Sequence, residues 1–303
     1  MLDDKFSNEL LERNYSADFD TALDEFLATR GGEKWRTLHL NGPTSRMAIF
    51  ERSTLCEIEH HTGKMDGKRV LDFGCGTGTI TPSLSLRARE VVAFDISPYA
   101  VDITRRRLAE HGLEHVAVHR ADSFGDIAHD LGSFDLVIMH AVFEHVPASV
   151  DGLRERVMQQ AFDALAPGGH LVISESPNRL SPRDIYCTGL WLLPWTRSGS
   201  RWSYRRAVKA GRHHDAEGRG PISLEERGAW GFTYWSVLRY LSDRKFDVVN
   251  ALPGHNRWVR YNRPLSRQRR LFETVIYTTA TKFLKIPIVA FAPMISPLVL
   301  RRR

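Results

Sequence analysis

The stretch Val70-Leu71-Asp72-Phe73-Gly74-Cys75-Gly76-Thr77-Gly78 decides the fold of this 303-residue chain. A short apolar run leads into three glycines at alternating positions, and residues 80–86 after them are compatible with a helix. Glycines let a backbone approach a ligand closely, and the start of a helix offers unpaired N–H groups. The stretch therefore predicts a strand, a ligand-binding turn and a helix.

Residues around this glycine loop restrict the ligand that it would bind. Thr79 stands where the dinucleotide pattern GxGxxG requires glycine, which disfavours NAD and FAD. The Asp72 carboxylate would bind an ammonium group and repel a phosphate. Asp95, about 20 residues past the loop, stands where an acid accepts hydrogen bonds from ribose hydroxyls, and Asp122 is placed to accept one from an adenine amino group. S-Adenosylmethionine carries these groups and no phosphate.

Short apolar runs alternate with helical patterns, such as residues 98–111 and 150–165, through the first part of the chain. Continuous apolar runs suit strands buried on both faces of a parallel sheet, and their alternation with helices predicts a doubly wound α/β fold. The predicted strands are residues 69–73, 90–94, 116–119, 134–139 and 169–174.

Four segments are predicted along the chain. They are a helical N-terminal cap (1–62, with breaks at glycines 31–32 and at 42–43), a cofactor-binding core (63–175), a substrate cap insertion without a long periodic stretch (176–227) and a C-terminal part that completes the sheet (228–303).

The C-terminal part is expected to contain a helix at 230–244, a strand at 246–252, and a helix from residue 272 that leads into a final strand at 297–301. Its apolar tail is too short between prolines to span a bilayer. Peripheral membrane contact through this tail is the alternative.

The composition is 42% hydrophobic and 26% charged, which excludes a disordered or collagen-like chain. Three widely separated cysteines exclude a disulfide framework and a zinc site, so a cytoplasmic protein is expected. The formal net charge is −10 over residues 1–178 and +16 over residues 179–303. The basic half would attract an anionic substrate, a membrane face or nucleic acid, unless its arginines are simply solvated.

The chain resembles the class I S-adenosylmethionine-dependent methyltransferases, in the small-molecule group related to the ubiquinone-biosynthesis O-methyltransferases. The matching motifs are LDFGCGTG (71–78), VVAFDIS (91–97), ADSF (121–124), FDLVIMHAVFEHV (134–146) and LAPGGHLVISES (165–176). The resemblance implies a Rossmann-like, seven-stranded sheet whose last strand is antiparallel. It also implies cofactor contacts from Asp72, Gly74, Cys75, Gly76, Gly78, Asp95, Ile96, Asp122, Ser123 and His140.

Candidate proton acceptors follow the predicted fourth and fifth strands, where open α/β sheets bind ligands. In related families the residue matching His145 lies beside the acceptor, and the pKa of histidine suits general-base work near neutral pH. A histidine that only holds the loop is the alternative. Glu175 would act as a base or stabilise a cation, and Glu144 is interpreted as a structural hydrogen-bonding residue. Methyl transfer requires no metal, and none is expected.

The segment after Glu175 supplies the candidate substrate contacts. Arg179 and Arg183 would bind an anionic group by bidentate hydrogen bonds. Tyr186 stands where bacterial relatives carry a histidine, and Trp191 would line the pocket or pack the cap onto the sheet.

The leading hypothesis is a methyltransferase that acts on the hydroxyl oxygen of a small molecule. A C-methyltransferase acting on an anionic acceptor such as a prenyl diphosphate is the second hypothesis. An RNA methyltransferase is the third, disfavoured because no RNA-binding module is recognised. A cofactor-binding protein without catalysis is the last. The acceptor and the oligomeric state stay open.

Overall fold

The computed structural model describes residues 14–28, 33–40, 45–251, 275, 279 and 283–303. The chain divides into two compact units. Unit 1 draws on Met1–Ile138 and Ala164–Gly169, and unit 2 on Met139–Asp163 and His170–Arg303. This division does not follow the four predicted segments, whose boundaries stay a prediction.

Nine strands are present in the described residues. They are β1 (Arg69–Phe73), β2 (Glu90–Asp95), β3 (Ala117–Arg120), β4 (Phe134–His140), β5 (Leu165–Ser174), β6 (Ser176–Pro177), β7 (Phe246–Val248), β8 (Met294–Ile295) and β9 (Leu298–Arg302). Seven of them form one sheet in the order β3-β2-β1-β4-β5-β9-β7, and β6 pairs with β8 separately.

The sheet has parallel and antiparallel parts. Strand β1 is parallel to both β2 and β4, and Asp72 lies opposite Ala93 on one side and Ile138 on the other. Strand β9 is antiparallel to both of its neighbours, β5 and β7. The doubly wound, Rossmann-like sheet of seven strands with an antiparallel last strand is confirmed. The strand at the glycine loop also has its predicted bounds, because its apolar residues Val70 and Leu71 are fully buried.

Helices flank these strands in sequence. They are α1 (Ala17–Ala28), α2 (Glu33–His39), α3 (Arg46–Ile49), α4 (Leu55–Thr62), α5 (Thr81–Ser85), α6 (Pro98–Glu110), α7 (Ala128–Leu131), α8 (Leu153–Asp163), α9 (Arg201–Lys209), α10 (Pro221–Glu225) and α11 (Tyr234–Tyr240). A π-helical turn at Phe50–Thr54 joins α3 to α4. Among the described parts of the chain, no helix is long and apolar enough to cross a membrane.

Several local predictions were wrong. The segment 176–227 contains the helices α9 and α10 where no long periodic pattern was found. The helix expected at 230–244 is the shorter α11, since Gly231 adopts a positive φ of 57° and the Thr233 side chain caps the helix by accepting a hydrogen bond from Ser236 N. Strand β7 ends at Val248, where a 3₁₀ turn begins. The glycine breaks near residues 31 and 42 and most of the expected helix from residue 272 lie outside the described residues.

Candidate functional site

The glycine loop of unit 1 is held in a conformation that L side chains rarely adopt. Gly74, Gly76 and Gly78 have φ values of 76°, 57° and 68°. A Cβ atom added at Gly76 would meet no heavy atom within 4 Å, whereas one added at Gly78 would lie 2.9 Å from Thr104 Cγ2. Gly76 therefore leaves open space beside its backbone, and Gly78 is required for packing against α6.

Buried side chains brace this loop at Thr77. Arg107, which is 1% exposed, donates from Nε to Thr77 O at 2.8 Å and from Nη2 to His39 O at 2.7 Å. His39 Nδ1 lies 2.6 Å from Thr77 Oγ1, and Thr104 Oγ1 donates to Gly76 O at 2.7 Å. The sequence alone predicts no role for Arg107, His39 or Thr104. The available signal was an arginine at a position that the helical period of α6 places among buried residues.

Asp72 is a carboxylic acid buried beneath the loop, at 1% exposure. Its pKa is raised to about 7, mainly by burial and also by the negative charge of Asp95, while a 2.7 Å hydrogen bond from Thr81 Oγ1 opposes the shift. A nearby ammonium group would lower this pKa, because the opposite charge favours the ionised acid. Asp72 is thus suited to bind a cationic group.

Asp95 ends β2 and contacts the loop directly. Its Oδ2 atom accepts a hydrogen bond from Gly76 N at 2.8 Å, and its Oδ1 atom accepts one from Ser97 N at 2.8 Å. A carboxylate accepts hydrogen bonds from hydroxyl groups as well as from backbone amides, which suits Asp95 to ribose hydroxyls. Ile96 beside it is an exposed apolar side chain.

The other predicted cofactor residues of unit 1 lie around the loop and after β3. The Asp122 side chain is 80% exposed and forms an ion pair with Arg120. Ser123 caps the next 3₁₀ turn, since its side chain accepts a hydrogen bond from Gly125 N. Burial raises the pKa of the Cys75 thiol well above its usual value, so this side chain is an uncharged packing group. The adenine contact of Asp122 stays a prediction.

The loop and its acids fit S-adenosylmethionine. Open space beside the Gly76 backbone would admit the ligand, Asp72 would hold its ammonium group, and Asp95 would accept from its ribose hydroxyls. Two carboxylates so close to the loop disfavour a ligand phosphate, because like charges repel.

His145 lies in unit 2, within a cluster that also contains Glu144, Ser176, Tyr186 and Glu226. Its Nδ1 atom is 2.6 Å from the backbone oxygen of Glu226. A carbonyl oxygen can only accept, so Nδ1 carries the proton of the neutral ring and Nε2 carries the lone pair. Nε2 is 3.2 Å from Tyr186 Oη and 3.7 Å from Glu144 Oε1.

Glu144 is fully buried beside this imidazole. Its Oε2 atom accepts a hydrogen bond from Ser176 Oγ at 2.7 Å, and its Oε1 atom has no hydrogen-bond partner among the described residues. Gly228 separates Glu144 from Tyr186: a Cβ added there would lie 2.8 Å from Glu144 Cγ and 3.0 Å from Tyr186 Cδ1. The sequence predicts only a structural role for Glu144, and it gives no signal for Gly228.

The ends of β4 and β5 carry the other predicted residues of this region. His140 Nδ1 lies 2.9 Å from Ser174 Oγ, and Glu175 Oε1 accepts a hydrogen bond from Ser296 Oγ at 2.9 Å. Both Ala141 and Glu175 have a positive φ, 55° and 57°. Such strain in residues with side chains clusters at functional sites. The catalytic role of Glu175 stays a prediction.

A pocket of about 650 Å³ lies in unit 2 and is called the arginine pocket below. Its walls carry four guanidinium groups, from Arg154, Arg179, Arg197 and Arg239, and aromatic rings from Phe232, Trp235 and Tyr240. The structure thus places Arg179 in a pocket but does not bring Arg183 or Trp191 to its walls. Arg183 is exposed and donates to Gly189 O, and Trp191 is exposed beside it.

Comparison with known proteins identifies the family. The family profile described as a methyltransferase domain matches residues 53–217, more than half of the chain. The chain therefore belongs to this family, within the class I S-adenosylmethionine-dependent methyltransferases, and its cofactor is S-adenosylmethionine. The resemblance found in the sequence is confirmed.

Two curated relatives show the range of similar proteins. The ribosomal RNA small subunit methyltransferase C of Chromohalobacter salexigens is 37% identical over 111 residues, which are 37% of this chain and 32% of that protein. The ubiquinone biosynthesis O-methyltransferase of Xanthomonas axonopodis pv. citri is 34% identical over 120 residues, 39% of this chain and 47% of that protein. The match spans less than half of each relative. A solved DhpI–SAH complex is 24% identical with a TM-score of 0.34, covering 52% of this chain and 65% of that chain.

Proposed function

We propose that the protein transfers a methyl group from S-adenosylmethionine to a hydroxyl oxygen of a small-molecule acceptor, with His145 as the proton acceptor. The hydrogen bond from His145 Nδ1 to Glu226 O carries this proposal, because it leaves the lone pair on Nε2. The similarity to ubiquinone biosynthesis O-methyltransferases supports oxygen as the acceptor atom. The widely spaced cysteines support a cytoplasmic location.

When bound, the cofactor would supply an electrophilic methyl group on a sulfonium, whose methyl–sulfur bond would break as the acceptor oxygen attacks, so that S-adenosylhomocysteine is the leaving group. As the acceptor oxygen forms its bond to that carbon, its proton would pass to His145 Nε2. The resulting imidazolium would be stabilised by the Glu144 carboxylate, whose Oε1 atom is 3.7 Å from Nε2. Tyr186 Oη now contacts the same lone pair, so the acceptor hydroxyl would replace it there.

The acceptor class can be tested directly. The protein would be incubated with cofactor carrying a ¹³C-labelled methyl group and with two separate pools, a small-molecule extract and total RNA. We expect the label in a small molecule, with the chemical shift of a methyl group on oxygen. A label on carbon would support the alternative of an anionic C-methylated acceptor. A label in RNA would favour the second candidate, to which the ribosomal RNA relative points.

The role of His145 is tested by His145→Ala. General-base catalysis contributes at least about 100-fold, so kcat should fall by that factor or more. Cofactor affinity should stay unchanged, because the predicted ammonium and ribose contacts are Asp72 and Asp95. An unchanged kcat in the folded variant would show that the histidine only holds its loop.

A further inference from the structure

The positive charge of the arginine pocket is not neutralised by neighbouring carboxylates. In the described part of the chain, none of Arg154, Arg179, Arg197 and Arg239 forms an ion pair with a carboxylate, and no acidic side chain lines the pocket. Arg154 is buried and Arg179 is partly buried, whereas Arg197 and Arg239 are exposed to solvent. A buried charge is normally paired, because an unpaired one loses its hydration without compensation. An anionic ligand would supply the missing partner.

Arg154 is the most informative of the four. It is 6% exposed, its Nε donates to Val146 O at 2.8 Å and its Nη1 to Gly231 O at 2.7 Å. Its Nη2 atom has no partner among the described residues. Two carbonyl oxygens orient this guanidinium but do not neutralise it. The Arg154 side chain is thus held in a fixed position at the pocket wall, and its Nη2 group can still donate hydrogen bonds to a ligand.

Arg179 is fixed in the same way. Its Nη1 donates to Ser198 Oγ at 2.7 Å and its Nη2 to Thr196 O at 2.6 Å. Burial lowers the pKa of both Arg154 and Arg179, and the buried Glu225 carboxylate opposes the shift from a distance beyond an ion pair. Glu225 is itself committed to Ser149, which donates to its Oε2 atom. Glu225, together with Glu144 in the case of Arg154, acts from beyond ion-pair distance and does not balance four guanidinium groups.

We propose that the arginine pocket binds the phosphate group of a phosphorylated acceptor molecule. Guanidinium groups match phosphate oxygens by paired hydrogen bonds, and a phosphate monoester carries close to two negative charges at neutral pH. The aromatic side chains Phe232, Trp235 and Tyr240 would contact an apolar portion of the same molecule. A volume of about 650 Å³ is that of a small-molecule site.

The identification of this ligand as the acceptor rests on the proposed function. Ala148, in the pocket wall, is three residues from His145, so their Cα atoms lie within about 11 Å of each other. Ser149, also in the wall, is hydrogen-bonded to Glu225, and the next residue, Glu226, accepts the hydrogen bond from His145. A molecule held by its phosphate in the pocket would therefore extend toward the His145 cluster.

Calorimetry with phenyl phosphate tests the site without any methyl transfer. Arg179→Gln combined with Arg239→Gln removes two charges from the pocket, and Arg201→Gln with Arg205→Gln removes two from the exposed side of α9 as a matched control. We expect saturable binding to the parent protein that weakens at least tenfold in the pocket variant and stays unchanged in the control. Arg239→Gln alone, at an exposed side chain, should give a smaller loss in the same direction if the double variant is unstable.

Three results would overturn the proposal: no saturable binding of phenyl phosphate by the parent protein, equal binding of benzyl alcohol, or equal weakening in the control variant. Cofactor affinity is measured on every preparation. Failure to bind the cofactor while phenyl phosphate still binds would overturn the proposed function and leave the phosphate site standing.

Discussion

The Nε2 atom of His145 lies 3.2 Å from the hydroxyl oxygen of Tyr186. With Nδ1 committed to a backbone carbonyl, the phenol is the donor to the one lone pair that the neutral imidazole offers. Tyr186 therefore occupies the position that a substrate hydroxyl would take during proton transfer. The Tyr186 hydroxyl can therefore have one of two roles. It is either a placeholder that the substrate hydroxyl displaces, or a relay that passes the substrate proton to His145.

Tyr186→Phe distinguishes these roles. A placeholder contributes only a neutral hydrogen bond of roughly 1 kcal/mol, so kcat should change by no more than about fivefold. Steady-state kinetics on the folded variant would measure this, with His145→Ala as the reference for full loss. A fall in kcat as large as that of His145→Ala would instead make Tyr186 a relay.

Gly228→Ala should disturb the His145 cluster through packing. The new Cβ would lie 2.8 Å from Glu144 Cγ, and φ at this position is 81°. Gly211→Ala is the matched control, because φ there is 64° but a Cβ would meet nothing within 4 Å. Both variants carry the strain of a left-handed alanine, so Gly228→Ala should lose about 1–3 kcal/mol more stability through overpacking. Chemical denaturation of both would show it, and equal losses would contradict the clash.

Asp95→Ala should weaken cofactor binding about tenfold or more, since a charged acceptor is worth roughly 1.5–3 kcal/mol. The structure adds a second reason: Asp95 also holds the Gly76 amide and thereby the shape of the loop. Asp122→Ala is the comparison, and its effect should be smaller because the Asp122 side chain is 80% exposed. Calorimetric titration with the cofactor measures both. Equal affinities for parent and Asp95→Ala would refute the ribose assignment.

Asp72 should make stability depend on pH. Its pKa is about 7 in the folded chain against an ordinary 3.8, so between these values the folded chain retains a proton that the unfolded chain has lost. The contribution of Asp72 to the free energy of unfolding therefore decreases as pH rises from about 4 to about 7 and levels off above. Asp72→Asn removes this titration. The Tm of Asp72→Asn relative to the Tm of the parent should therefore increase as pH rises from about 4 to about 7. A difference in Tm that stays constant over this range would show that Asp72 does not titrate there.

The same titration should appear in cofactor binding. An ammonium group favours ionised Asp72, so affinity for S-adenosylmethionine should fall as pH drops below about 7, by up to tenfold per pH unit. Asp72→Asn should bind weakly at every pH. A parent affinity that stays flat from pH 5 to pH 8 would place the ammonium group elsewhere.

Local pattern explains which parts of the fold were predictable. The strand at residues 69–73 and its loop were found because a buried parallel strand has a continuous apolar run and the glycines follow it directly. Helix α9 was missed because the side chains that it buries are Ser203 and Ala207, small residues that hydropathy does not mark. Helix α6 was found, yet the role of Arg107 depends on Thr77 and His39, which contact it from distant parts of the sequence.

In the candidate site, too, contacts between residues that are far apart in the sequence could not be predicted from local pattern. His145 was predicted from a motif, but its tautomer depends on a carbonyl 81 residues away. Arg179 was predicted to bind an anion beside its neighbour in sequence, Arg183, whereas the structure surrounds it with Arg154, Arg197 and Arg239. Such groupings arise from tertiary packing, and no spacing within one segment encodes them.

The position of β9 between β5 and β7 has a consequence for the order of folding. Among the strands of the described residues, β7 pairs with β9 alone, and β9 follows about 50 residues later in the chain. Pairing over such a separation closes a long loop and is slow. Until β9 docks, β5 presents an unpaired edge on which other chains can add strands. Newly synthesised protein is therefore most prone to aggregate before β9 pairs with β5. A chaperone would protect the chain mainly at this stage.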